Sequence, residues 1–246
     1  LGREAALNPY VARTALVVGA SSALGSALAA ALVAEGWRVR ACARDPGRLP
    51  AGGLRVDLAD AAAVRALADD VRAAPPDLLV WAASRFQPGP YDRVAALTDL
   101  AVCALAPYEV GLAHLEGAVR TDLAVTQLHL ADLAGDEPFL GAPAYSLGRG
   151  AGRAALRLLQ RQAPAASSVV VLRLGLVDVP GRERAAEADL AARDTVLGRR
   201  ATIDEVLAAV RAVLARPSAF RGAWLDVDGG LALRAPAHRP LSPPRE

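Results

Sequence analysis

Short apolar runs alternate with longer amphipathic stretches along almost the whole chain. Thr14–Val18, Arg38–Ala43, Leu54–Leu58, Asp77–Ala82, Leu123–Leu130, Ser168–Leu174 and Ala223–Val227 read as seven strands. The Asp77–Ala82 run is nearly continuous in apolar side chains, as a central parallel strand covered on both faces would be. The stretches between have helical spacing. Ser22–Glu35 places Leu24, Leu28, Ala31 and Leu32 on one face and stops at Gly36. Asp60–Ala74 spaces Val64, Leu67 and Val71 for burial and stops at Pro75-Pro76. Val94–Gly117 reads as mostly helical with Pro107 inside it, Tyr145–Gln162 as a helix, and Thr202–Ala215 as a helix opened by a Thr202/Glu205 capping box. Leu1–Arg13 is a polar lead-in. Ala83–Arg93 and Ala131–Ala144 read as loops, Leu176–Ala201 as a long polar connection, and Arg234–Glu246 as a proline-rich, extended or disordered tail. This alternation predicts one α/β domain over residues 1–233, a doubly wound parallel sheet with helices on both faces. Its ligand should lie at the carboxyl ends of the strands.

Composition narrows the chemistry. At 246 residues the chain has length for one large core, and its net charge is only +2 with the cations scattered, which gives no nucleic-acid footprint. Every cation is arginine. The absence of lysine excludes a P-loop lysine, a Schiff base and any lysine-dependent proton transfer. Charged residues punctuate the apolar segments, so no membrane span is expected. Cys42 and Cys103 lie far apart without metal-ligand spacing, and read as apolar fillers of a reducing, cytoplasmic compartment. His114, His129 and His238 form no metal-ligand pattern.

The candidate chemistry begins at Leu16. An apolar run ends at Gly19, turns through Ala20-Ser21-Ser22-Ala23-Leu24 and opens a helix at Gly25. Unpaired N–H groups at a helix N-terminus, aided by the helix dipole, suit a phosphate. Ser21 and Ser22 add hydroxyls. Ala23 stands where a dinucleotide fingerprint has its middle glycine, and its methyl fits only if its φ is negative. Arg44 ends the second strand about twenty residues beyond the turn, where a ribose-reading residue belongs, and it would suit a 2′-phosphate.

These stretches, with others in order, resemble the short-chain dehydrogenase/reductase family over nearly the whole length. Gly19–Gly25 resembles its glycine-rich turn, and Asp57-Leu58 its adenine-contacting pair. Trp81-Ala82-Ala83-Ser84 occupies its Asn-Asn-Ala-Gly slot. Tyr145 with Arg149 resembles its Tyr-x-x-x-Lys, Arg173-Leu174-Gly175-Leu176-Val177 the turn after its sixth strand, and Asp226–Gly230 its closing Asp-Gly-Gly. The resemblance implies a Rossmann-type fold, a homo-oligomer with the last helix and strand as one contact, and hydride transfer between a nicotinamide and a carbonyl or alcohol carbon of a small molecule. It implies a cofactor contacted by Gly19, Ser21, Ser22, Leu24, Gly25, Arg44, Asp57, Leu58, Ala82, Ala83, Ser84, Tyr145, Arg149, Gly175 and Val177. Arg44 favours NADP(H), with NAD(H) possible.

The catalytic set departs from the family's. Tyr145 is present. Arg149 replaces lysine; its fixed charge favours phenolate, but it cannot release a proton. Asp132 takes the place of the serine that binds the carbonyl oxygen, and an ionised aspartate only accepts hydrogen bonds. Cys103 takes the place of the relay asparagine. Two functions follow: an NADP(H)-dependent oxidoreductase with a modified site, or a dinucleotide-binding sensor or interaction protein that has lost catalysis. Asp132 is expected to face the Tyr145 hydroxyl. If it caps a helix instead, its role is that of a loop residue.

Overall fold

The computed structural model describes residues 13–45, 47, 49, 52–179, 193 and 195–233. The proline-rich tail, most of the lead-in and the middle of the 176–201 connection lie outside the described residues. Seven strands form one parallel sheet in the order β3-β2-β1-β4-β5-β6-β7: β1 Thr14–Val18, β2 Arg38–Ala43, β3 Leu54–Arg55, β4 Leu78–Trp81, β5 Thr126–Asp132, β6 Ser168–Leu174 and β7 Trp224–Val227. The helices are α1 Ala23–Ala34, α2 Ala61–Ala73, α3 Arg93–Leu100, α4 Ala106–Thr121, α5 Pro143–Gln162 and α6 Ile203–Ala215.

The period-two alternation of β1 divides the core. Ala15 and Val17 pack with Leu28 and Leu32 of α1 and Val206 and Val210 of α6 on one face. Leu16 and Val18 pack with Val64, Leu67 and Val71 of α2 and Val110 of α4 on the other, where Leu156 and Leu159 of α5 continue the layer over β6. The Thr202/Glu205 capping box is present.

Three boundaries differ from the sequence reading. Strand β3 ends at Arg55, so Asp57 and Leu58 leave the sheet. Strand β5 runs on to Asp132, which is a strand end rather than a loop residue, because its pairing with β6 continues to Asp132↔Leu174. The helix over 94–117 is interrupted by a π turn at Ala101–Leu105, one turn before Pro107. Proline lacks the N–H that the Cys103 carbonyl would accept from, and its ring crowds that carbonyl. That carbonyl lies against Gly152 of α5, where no Cβ would fit. The helical run from Arg93 to Thr121 is long and apolar enough to cross a membrane by length and composition. Half of its most apolar window is buried, as in a core helix.

Candidate active site

β1 connects toward β2 and β3 on one side while its other neighbour is β4, so the strand order reverses between β1 and β4. A cleft of about 500 Å³ opens at the carboxyl ends of these strands. Parallel sheets of this kind place ligands at such a reversal.

The cleft is shaped by backbone proximity. Gly19 has φ +88°, and a Cβ there would lie 2.5 Å from the backbone N and Cα of Ala83. The first turn therefore closes directly on the segment after β4. Gly25 lies against the Gly19 carbonyl, with no room for a Cβ. Ala23 is the first residue of α1, and among the described residues only Asp122 of the non-glycines has positive φ, so the condition on Ala23 is met. Ser22 is spent internally. Its Oγ donates to the Gly19 carbonyl at 2.9 Å and accepts from Gly25 N–H at 3.0 Å, capping α1. Only Ser21 keeps the donor role expected of both serines.

Gly19, Ser21, Ser22, Arg44, Asp57, Leu58, Ala82, Ala83 and Ser84 line the cleft. Leu24, Gly25, Tyr145, Arg149, Gly175 and Val177 fall outside its lining. Gly175 instead abuts Asp228, at 2.8 Å from a built Cβ to the Asp228 Cα. Asp228 in turn accepts from Gly230 and Ala232 N–H at 2.8 Å each, so the Asp-Gly-Gly segment braces the turn after β6. Val177 forms a β-bridge with Ala201.

Deeper in, α5 delivers Tyr145 to the end of β5. Tyr145 is 2% exposed, and its hydroxyl donates to Asp132 Oδ2 at 2.8 Å. Asp132 Oδ1 accepts from Ala134 N–H at 2.8 Å, capping a short 3-10 turn at Leu133–Gly135. The carboxylate thus meets both alternatives set by the sequence: it faces the tyrosine and it caps a helix. Phe86, which lines the cleft, stands edge-on to the Tyr145 ring, 5.1 Å between centroids at 89°. The Arg149 guanidinium lies 5.1 Å from the same ring and donates to Ser84 Oγ.

Arg149 favours the phenolate form of Tyr145, as its fixed charge suggests, but it is outweighed. Burial raises the tyrosine pKa well above its ordinary value, and the Asp132 charge and hydrogen bond raise it further. Arg149 pulls it down without prevailing. The phenol holds its proton. Burial likewise pushes Cys103 up, and Cys42 up to about 12, so neither is a reactive thiolate.

Three participants were not anticipated. Asp99 of α3 is fully buried and is paired through Oδ1 with Arg85 Nη1 at 3.3 Å. Burial raises its pKa, against the lowering effects of Arg85 and Arg149. Its position on the apolar stripe of its helix, with buried Ala96 and Val102, was the available signal. Arg85 and Phe86 sit in a polar-looking loop that carries no such pattern.

No protein-family model matches the chain. A Streptomyces violaceoruber protein assigned as ketoacyl reductase 2 of the granaticin polyketide synthase is 28% identical over 243 residues, covering 90% of this chain and 97% of that one. A solved short-chain dehydrogenase/reductase family protein is 25% identical with a TM-score of 0.75, covering 89% and 96% of the two chains. A 4-hydroxyisoleucine dehydrogenase complexed with NADH has a TM-score of 0.81 at 16% identity, covering 91% and 100%, a likeness of fold. Another structure of the same fold has NADP bound. The seven-stranded sheet, the motif order and these relatives together give the chain the fold and the likeness of the short-chain dehydrogenase/reductase family. It is an oxidoreductase of that kind.

Proposed function

We propose that the protein is an NADP(H)-dependent oxidoreductase that moves hydride between nicotinamide and a carbonyl or alcohol carbon of a small molecule, using a modified catalytic set. The observation that carries this reading is the cleft itself. Gly19 leaves an open cradle beside Ala83, Ser21 and the first turn of α1 offer donors, and Asp57, Leu58 and Ala82 line the same space. This cradle fits the phosphates and adenosine of a dinucleotide. Arg44 at its rim offers a planar cationic fork suited to a 2′-phosphate. When bound, the nicotinamide would supply hydride chemistry; the chain's own part is to hold the nucleotide and to manage a proton at Tyr145. Arg149, between Ser84 and the Tyr145 ring, would reach the ribose beside them.

Calorimetric titration with NADPH and NADH tests the nucleotide preference. NADPH should bind at least about tenfold tighter, ~1.4 kcal/mol, and Arg44→Ser should erase the difference. Equal affinities in the native protein would overturn it. A homo-oligomer in a cytoplasmic setting completes this reading.

One observation favours a second reading, a nucleotide-binding sensor without turnover. Tyr145 is buried under Phe86 with its hydroxyl committed to Asp132. For catalysis Phe86 must move aside. Nucleotide binding with no hydride transfer to or from any of a broad set of ketones and alcohols would select this reading.

A further inference from the structure

We propose that Asp132 is the proton acceptor behind Tyr145, so that the site is set to oxidise an alcohol rather than to reduce a ketone. This rests on the oxidoreductase reading above, and it assigns the direction and the proton's destination.

The argument starts from the two ends of one hydrogen bond. Tyr145 donates to Asp132 Oδ2 at 2.8 Å, in a setting where the phenol keeps its proton. A neutral phenol can take a proton from a substrate alcohol only by giving up its own. The acceptor for that proton is already in place. In the oxidation, the alcohol carbon loses hydride to an oxidised nicotinamide dinucleotide. The alcohol oxygen passes its proton to Tyr145 Oη as the carbonyl bond forms, and the Tyr145 proton moves to Asp132 Oδ2. The products are the ketone, the reduced dinucleotide, a neutral tyrosine and a neutral Asp132 carboxyl. Reduction runs the same path backward and needs Asp132 to begin protonated.

The surroundings support that assignment. A cavity of about 20 Å³ is lined by Asp132 together with Cys103, Asp136, Arg149, Arg153 and Trp224. That is room for about one water. The Nε–H groups of Arg149 and Arg153 are buried, without hydrogen-bond partners, and belong to residues of this lining. The charged and titratable groups around Asp132 are Tyr145, Arg149 and Arg153 from α5, Cys103 from the π turn, and Asp136 just after the 3-10 turn. Asp136 is paired with Arg153 and Arg173, at 2.6 and 2.9 Å. Arg149 is the cation of this group in contact with the tyrosine ring.

Asp132→Asn is the informative variant, because its side-chain oxygen can still cap Ala134 while the acceptor loses its basicity. The probes are cyclohexanol with NADP⁺ and cyclohexanone with NADPH. Asp132→Asn should lower kcat for oxidation by about 100-fold or more with the alcohol KM little changed. Formate added to Asp132→Ala should restore part of it. A second measurement needs no turnover. In nucleotide-free protein labelled with ¹³Cζ-tyrosine, the Tyr145 resonance, assigned with Tyr145→Phe, should follow a protonation step across the folded pH range. That step should vanish in Asp132→Asn. Unchanged oxidation in Asp132→Asn, or a Tyr145 resonance with the same pH response in both proteins, overturns the proposal. If the step vanishes as expected but the native protein binds NADP⁺ without turnover, the dyad stands and the oxidoreductase reading fails.

Discussion

Residues of similar sequence standing differ sharply in what the fold asks of them. Gly19 and Gly36 both have positive φ, +88° and +85°, but only Gly19 is also hemmed in. A methyl on Gly36 would meet nothing within 4 Å, so Gly36→Ala should cost only the backbone strain, ~1–2 kcal/mol. Gly19→Ala adds a collision with the Ala83 backbone and should cost more than about 2 kcal/mol while abolishing nucleotide binding. Denaturant titration of both variants, with calorimetry for the nucleotide, checks this; equal costs would contradict the close approach. Asp132 illustrates the limit of reading residues alone. Its distance from Tyr145 in sequence marked it as a site residue, but only the end of β5 and the start of α5 bring their oxygens to 2.8 Å.

At the scale of elements, small residues on α5 set the depth of the site. Gly148 abuts the Asp99 backbone and Gly152 abuts Cys103, so α5 lies directly on α3 and the π turn. Behind them, α4 and β5 bury two histidines. His114 Nε2 lies 2.6 Å from the Pro76 carbonyl, and His129 Nε2 lies 3.0 Å from Gln127 Oε1, with its ring stacked on Trp81. Burial lowers their pKa values to about 4 and about 3. Below about pH 6.5 the unfolded chain therefore binds more protons than the folded one. Their contribution is intact above that pH and is lost progressively as pH falls toward the depressed values. The urea midpoint should decline from about pH 6.5 downward, each unit of pH costing at most ~1.4 kcal/mol per histidine. A midpoint flat to about pH 5 would mean that the histidines are not held neutral.

For the whole molecule, α3, the π turn and α5 leave large apolar side chains uncovered. Leu97, Leu105, Leu147 and Leu158 are all more than half exposed. This exposed apolar surface is a further candidate for subunit contact beside the last helix and strand named from the sequence. The proposed homo-oligomer should dissociate in Leu147→Glu/Leu158→Glu, with the fold and its circular dichroism retained. Sedimentation of both proteins tests it, and a native monomer would remove the oligomer.

The sequence by itself determined the architecture and the residues that line the cleft at the strand ends. Period-two and helical spacings are local, and so are the glycine turn and the capping box; each could be read within a few residues. Arg44 was placed at the cleft by its spacing from the glycine turn, and Asp57 and Ala82–Ser84 by the family resemblance. The protonation state of Tyr145 depended on tertiary structure, because proton affinity depends on burial and on charges brought from elsewhere in the chain. Arg149, one turn along the same helix, favours phenolate as the sequence suggests. Burial beneath Phe86 and the hydrogen bond to Asp132 reverse that balance, and both come from segments that meet Tyr145 only after the sheet has formed.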